Sequence, residues 1–165
     1  MSVTADILRS YRAPREVLRR LRSGSRREGR ILVYLILACG LIFVAQWPRL
    51  AREAHLDEGV PLEALMAGAL FAWVFIAPLV FYLLGAILTL VLKLAAPAVD
   101  GFDVRLGLFW SLLVASPLAL LHGLGMGMIG AGPAVSLTFL IVVAVFVVVL
   151  VAALRVALEA ARAGA

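Results

Sequence analysis

Arg19 to Trp47 reads RRLRSGSRREGRILVYLILACGLIFVAQW, a basic run followed by seventeen residues, Ile31 to Trp47, that carry no charge. Seventeen is at the short end of what an α-helix needs to cross the hydrocarbon of a bilayer. Upstream of it stand Arg9, Arg12, Arg15, Arg19, Arg20, Arg22, Arg26, Arg27 and Arg30 against Asp6, Glu16 and Glu28, a tail of net charge +6. Arginine clustered before a first span is retained on the cytoplasmic side, so the reading predicts a membrane protein with its N-terminus inside.

The rest of the chain extends that reading. At 64 % hydrophobic residues over 165 and a mean hydropathy of +1.09, there is too little polar surface to clothe a soluble domain of this size. The predicted fold is all-α, a polytopic transmembrane helical bundle. Its spans fall at about 31–47, 62–95, 104–129 and 134–158, between a basic tail over 1–30 and a short C-terminal tail over 161–165. The second stretch is too long for one upright helix and holds Pro78 at its middle. It is either one tilted, kinked helix, giving four spans, or two short spans, giving five. One helix places thirteen of the fifteen basic residues inside and leaves Arg49 and Arg52 outside, so four spans are preferred. Fourteen arginines against the single Lys93 suit a GC-rich bacterial genome, and hence a bacterial inner membrane.

The tail has its own pattern. Ile7, Tyr11, Leu18 and Leu21 recur at helical spacing among the arginines, and Pro14 is placed to restart a helix, so two short amphipathic helices are expected. Their apolar side is read as facing the bilayer surface. Arg9, Arg12, Arg15, Arg19, Arg20 and Arg22 would then meet anionic headgroups or a cytosolic partner. The formal charge of +5 does not argue for nucleic acid, because it resides in this tail and no nucleic-acid module is present.

Motifs of chemistry are few. Cys39 is the only cysteine, which excludes an intrachain disulfide. Its setting, Ile36-Leu37-Ala38-Cys39-Gly40, resembles a lipoprotein processing site, but the apolar run continues to Trp47 and the span is read as retained. Pro48 to Pro61 is expected to be a polar loop, in which His55, Asp57 and Glu58 offer metal donors no denser than any solvated loop does. No metal site and no cofactor is assigned. No phosphate-binding loop, His-Glu-x-x-His or Gly-x-Ser-x-Gly occurs, and no enzyme activity is expected.

Within the spans, Ala64, Gly68 and Ala72, and Gly123, Gly125 and Gly127, make small faces on which helices approach closely in lipid. Gly68, Pro78, Pro117, Gly123 and Gly127 are therefore read as packing residues. The two prolines would face each other, the second and third helices would form the centre, and the fourth would lie outside. The same faces could serve a homo-oligomer or a larger membrane complex. His122 lies beside the glycines, as a hydrogen-bonded packing residue or as part of a polar path.

Two stretches resemble bacterial proteins with a Yip domain, the domain named for Ypt/Rab-interacting trafficking proteins. Ala13-Pro-Arg-Glu-Val-Leu-Arg-Arg-Leu21 resembles their pre-membrane segment, and Gly101 to Leu118, GFDVRLGLFWSLLVASPL, is similar to their third span, with its arginine-led start and Ser-Pro step. The resemblance implies a multi-span scaffold without an established reaction, usually of five spans. Two function classes follow: a non-catalytic scaffold or accessory protein, and a small transporter or channel with a path near His122.

Overall fold

The computed structural model describes residues 2–57 and 59–163. Two short helices, α1 (Val3–Ser10) and α2 (Pro14–Ser23), precede four long ones: α3 (Glu28–Leu56), α4 (Leu62–Ala95), α5 (Gly101–Met128) and α6 (Pro133–Ala163). Each of the four is long and apolar enough to cross a membrane, and the chain is an all-α, multi-pass membrane protein. They run up and down. At the arginine-rich end Arg105 of α5 donates to Glu28 of α3 at 2.6 Å, and at the opposite end Arg52 of α3 donates to the Gly127 carbonyl at 3.4 Å.

The first span is longer than its sequence suggests. Pro48 lies inside α3, which continues to Leu56. A mid-helix proline removes one N–H and crowds the carbonyl four residues back. Here the following residues are mostly good helix formers, Arg49 pairs with Glu53 at 2.9 Å one turn on, and Leu50 is buried. Those gains carry the helix through, so the expected loop from Pro48 to Pro61 shrinks to a short connection after Leu56.

Pro78 is absorbed differently. The stretch Ala72–Ile76, immediately before it, is a π-turn, and the helix runs from Leu62 to Ala95 without a break in direction of travel. Widening the turn makes room for the ring and for the carbonyl left without its donor. One helix forms, and the four-span fold with it.

α5 is the centre. Asp100 caps it by accepting from the Phe102 N–H at 2.9 Å, and Asp103 in the first turn complements the helix dipole. From Phe102 to Ser116 every residue except Arg105 is buried, so this half of the helix is enclosed on all sides. Trp110 and Phe109 fill the core, edge-on to Tyr34 of α3 at 5.1 Å and Tyr82 of α4 at 5.0 Å. The helix stops at Gly130, whose φ of 84° reverses the chain where a side chain would be strained.

The expected pairing of the second and third helices at the centre is corrected. In α4 only 6 % of the most apolar window is buried, against 67 % in α5. α3 and α6 approach α5 closely because its glycines allow it, whereas Ala64, Gly68 and Ala72 of α4 are exposed. The prolines do not face each other either: Pro78 is buried and Pro117 is exposed.

Candidate interaction surface

The tail folds into a helical hairpin docked on the bundle. Pro14 fixes the start of α2, and the turn between the two helices is short enough to return the chain antiparallel. Val17, Leu18 and Leu21 are buried in the main core with Ile31, Leu35, Leu106 and Ala153. The apolar stripe of the tail therefore faces helices rather than the bilayer surface, which corrects the expected orientation of Leu18 and Leu21. Protein offers it a close-packed surface, and burying these three side chains against the bundle excludes as much water as lipid would.

Polar contacts fix the register. Ser10 donates to the Asp6 carbonyl at 2.8 Å and accepts from the Trp110 indole at 3.0 Å. Tyr11 donates to the Val114 carbonyl at 2.6 Å, and burial pushes its phenol above the ordinary value. Asp103, 4 % exposed, accepts from Arg22 at 2.7 Å and Arg26 at 3.1 Å. A buried carboxylate is costly unless paired in this way. Arg26 also reaches Asp100 and lies 5.2 Å over the Phe102 ring. Arg20 pairs with Asp6, Arg19 with Glu159 at 2.8 Å, and Arg30 donates to the Leu21 carbonyl at 2.7 Å.

The six arginines assigned to headgroups or a partner thus divide. Arg19, Arg20 and Arg22 are held by acids of α6, α1 and α5. Arg9, Arg12 and Arg15 are exposed and form no ion pair among the described residues. They surround the hairpin turn and the start of α2.

At the opposite end, a Cβ on Gly123 would fall on the Ala45 carbonyl and one on Gly127 on Pro48, so α3 lies against this face of α5 backbone to backbone. Gly125 and Gly68 are not so placed: a Cβ meets Val135 at 3.5 Å in the first case and open space in the second. Gly68 makes no packing contact that requires glycine. His122 Nδ1 lies 3.0 Å from Thr138 Oγ1, which itself donates to the Val135 carbonyl at 2.7 Å. The hydroxyl proton is committed, so Nδ1 is the donor of this pair. Beside it is a cavity of about 300 Å³ with Gln46, Arg49 and Trp73 on its wall. Of the loop donors, Asp57 accepts from the Gly59 N–H at 2.9 Å, and Glu58 lies outside the described residues.

Several residues that matter here gave no periodic or motif signal. Ser10, Asp103 and Glu159 are single polar residues whose partners lie about 80 to 140 positions away. Gly107, where a Cβ would come within 2.6 Å of Ala153, is an isolated glycine in an apolar run.

The chain matches no family model, no curated protein and no solved structure.

Proposed function

We propose that this protein is a non-catalytic scaffold or accessory protein of the bacterial inner membrane, of the Yip-domain type, with its N-terminus in the cytoplasm. The observation that carries the reading is the docked hairpin. Five arginines of the tail and linker are spent on holding it to α5 and α6 or to itself, while Arg9, Arg12 and Arg15 remain outward. An outward basic patch on the side of the bundle suits contact with anionic lipid and with an acidic partner surface. The long, little-buried α4, with Ala64, Gly68 and Ala72 exposed, suits helix contacts in the bilayer.

The cavity beside His122 favours one other reading, a small transporter or channel component whose solute passes the His122, Gln46 and Arg49 side chains. Reconstitution separates the two. For a scaffold, proteoliposomes show no ion or solute flux above empty vesicles, and a photo-crosslinker placed at Arg9 in intact membranes gives defined adducts. Flux that disappears in His122→Ala would put the transporter reading in its place.

A further inference from the structure

The hairpin enters the apolar zone of the bundle tip first. Gly107 against Ala153, Gly125 against Val135 and His122 against Thr138 set α5 and α6 in antiparallel register. Arg105 and Arg155 therefore share one level, and they are the first charges met on these helices from the middle of the membrane toward the arginine-rich end. Val114, the partner of Tyr11, lies nine residues further in, about 13 Å along the axis. Arg12 lines a cavity with Ala144, Val145 and Val148, seven to eleven residues in from Arg155, or about 10 to 16 Å.

The tip placed at that depth is polar. Arg9, Arg12 and Glu16 are exposed around it and form no ion pair among the described residues, whereas Arg15 reaches back toward Glu159 at the arginine-rich end. Tyr11 to Ala13 belong to no helix, and Tyr11 and Arg12 are exposed. Charged side chains at this depth are costly unless water reaches them. Irregular backbone is tolerated there only where protein buries it or a water-filled cavity receives it. Protein does not bury this turn.

The apolar surface is consequently uneven around the bundle. α4, which packs on α3 and α5, runs uncharged from Ala64 to Leu92, twenty-nine residues or about 43 Å. Its Ile87 and Leu90 stay exposed beyond Gly85, which faces Arg105. Beside the hairpin, the stretch of α6 from Pro133 to Val148 is sixteen residues or about 24 Å, less than the ~30 Å of hydrocarbon in a bilayer. At the opposite end the two faces are level, since Trp73 and Val142 line one cavity and stand nine residues from Ala64 and Pro133 respectively. A tilt that suited one end would misfit the other.

We propose that the docked hairpin holds a water-filled notch in the leaflet at the arginine-rich end, thinning the bilayer beside α6 while leaving it whole beside α4. With the N-terminus in the cytoplasm, as proposed above, this is the inner leaflet. The protein then acts on the bilayer itself, which goes beyond a scaffold's contacts with partners.

Spin-label accessibility tests the notch in the full chain, reconstituted in liposomes of phosphatidylethanolamine and phosphatidylglycerol, with Cys39→Ala removing the one natural cysteine. Leu79→Cys, six residues from Gly85, and Val148→Cys, seven from Arg155, carry a nitroxide at one depth on the two faces, at positions 69 % and 61 % exposed. At Val148 collisions with a water-soluble nickel chelate should outweigh those with oxygen, and at Leu79 the order should be reversed. Replacing Arg9, Arg12 and Glu16 by leucine should shift the Val148 ratio toward oxygen and leave Leu79 unmoved, with helical circular dichroism checking that the variant is folded. Oxygen dominant at both positions would overturn the notch and leave the membrane reading intact. Chelate dominant at both would overturn the notch together with the depth assigned to this end of the bundle. Protection of Val148 from both reagents would mean that protein covers this face, which also ends the proposal. An unchanged ratio in the leucine variant would overturn the part given to the charged tip.

Discussion

The Tyr11 hydroxyl donates to the main-chain carbonyl of Val114 at 2.6 Å, which ties the turn of the N-terminal hairpin to the middle of the central helix. The place matters because Pro117 follows one turn later. A proline has no N–H for the carbonyl four residues back, which here is Leu113. Ser116 supplies that donor at 2.8 Å, and Tyr11 supplies the neighbouring carbonyl. The one acceptor that Pro117 leaves free is thus met by a local hydroxyl, and the carbonyl beside it receives the hydroxyl of the tail.

Removing the tail's share should loosen the hairpin. Tyr11→Phe and Ser10→Ala are each expected to cost about 1 kcal/mol, the usual net worth of a hydrogen bond, read as a lower Tm in detergent. Because the phenol's pKa is raised by folding from 10.0, its contribution is present below that value and is lost as pH rises through the raised one. Alkaline release of the hairpin should therefore be weaker in Tyr11→Phe than in the parent. Equal alkaline profiles would assign the effect to another group.

Asp103→Asn should free Arg22 and leave Arg26 held by Asp100 and Phe102 alone. Breaking a pair whose acid is buried but whose bases are half-exposed is expected to cost about 2 kcal/mol. Trypsin cuts the exposed Arg26–Arg27 linker in either protein. On size-exclusion chromatography the cleaved hairpin should stay with the parent bundle and separate from the Asp103→Asn bundle.

The glycines of α5 should respond one by one. Gly123→Ala and Gly127→Ala collide with the α3 backbone and should lower Tm, even though alanine is the better helix former by about 1 kcal/mol. Gly125→Ala has ordinary contact and Gly68→Ala open space, so both should be neutral or stabilising. A tolerated Gly123→Ala would mean that α3 and α5 are further apart than described.

Cysteines introduced at Ser25 and Ala163 should be inaccessible to a membrane-impermeant maleimide applied outside intact cells, and one at Gly59 should be labelled. Both 25 and 163 are at the arginine-rich end and 59 at the other, so labelling at Ala163 but not at Ser25 would break the four-helix threading.

How much of this was legible follows from the range of each signal. Hydropathy and charge bias are local sums, and they place four apolar helices and the basic tail. Pro78 was ambiguous because a π-turn is chosen by packing, not by the residues alone. Pro48 misled for the same reason: what carries α3 onward is Leu50 in the core and a pair with Glu53. The periodicity of Leu18 and Leu21 correctly marked a buried face, but an apolar stripe does not say whether lipid or protein covers it. Gly123 and Gly127 meet α3 while Gly68 meets nothing, and the spacing of small residues is the same in both helices.

The hairpin is made first and can dock only last. Its anchors Asp103, Trp110 and Val114 lie about 100 positions downstream, and Glu159 lies 140 beyond Arg19. Contacts of such separation form late, since the intervening chain must be ordered before they close. The seat for α2 is complete only when α6 is packed on α5, because Glu159 and Ala153 belong to it. Docking of the tail thus depends on α5 and α6 being packed together, and a fault in either is felt at the opposite end of the sequence.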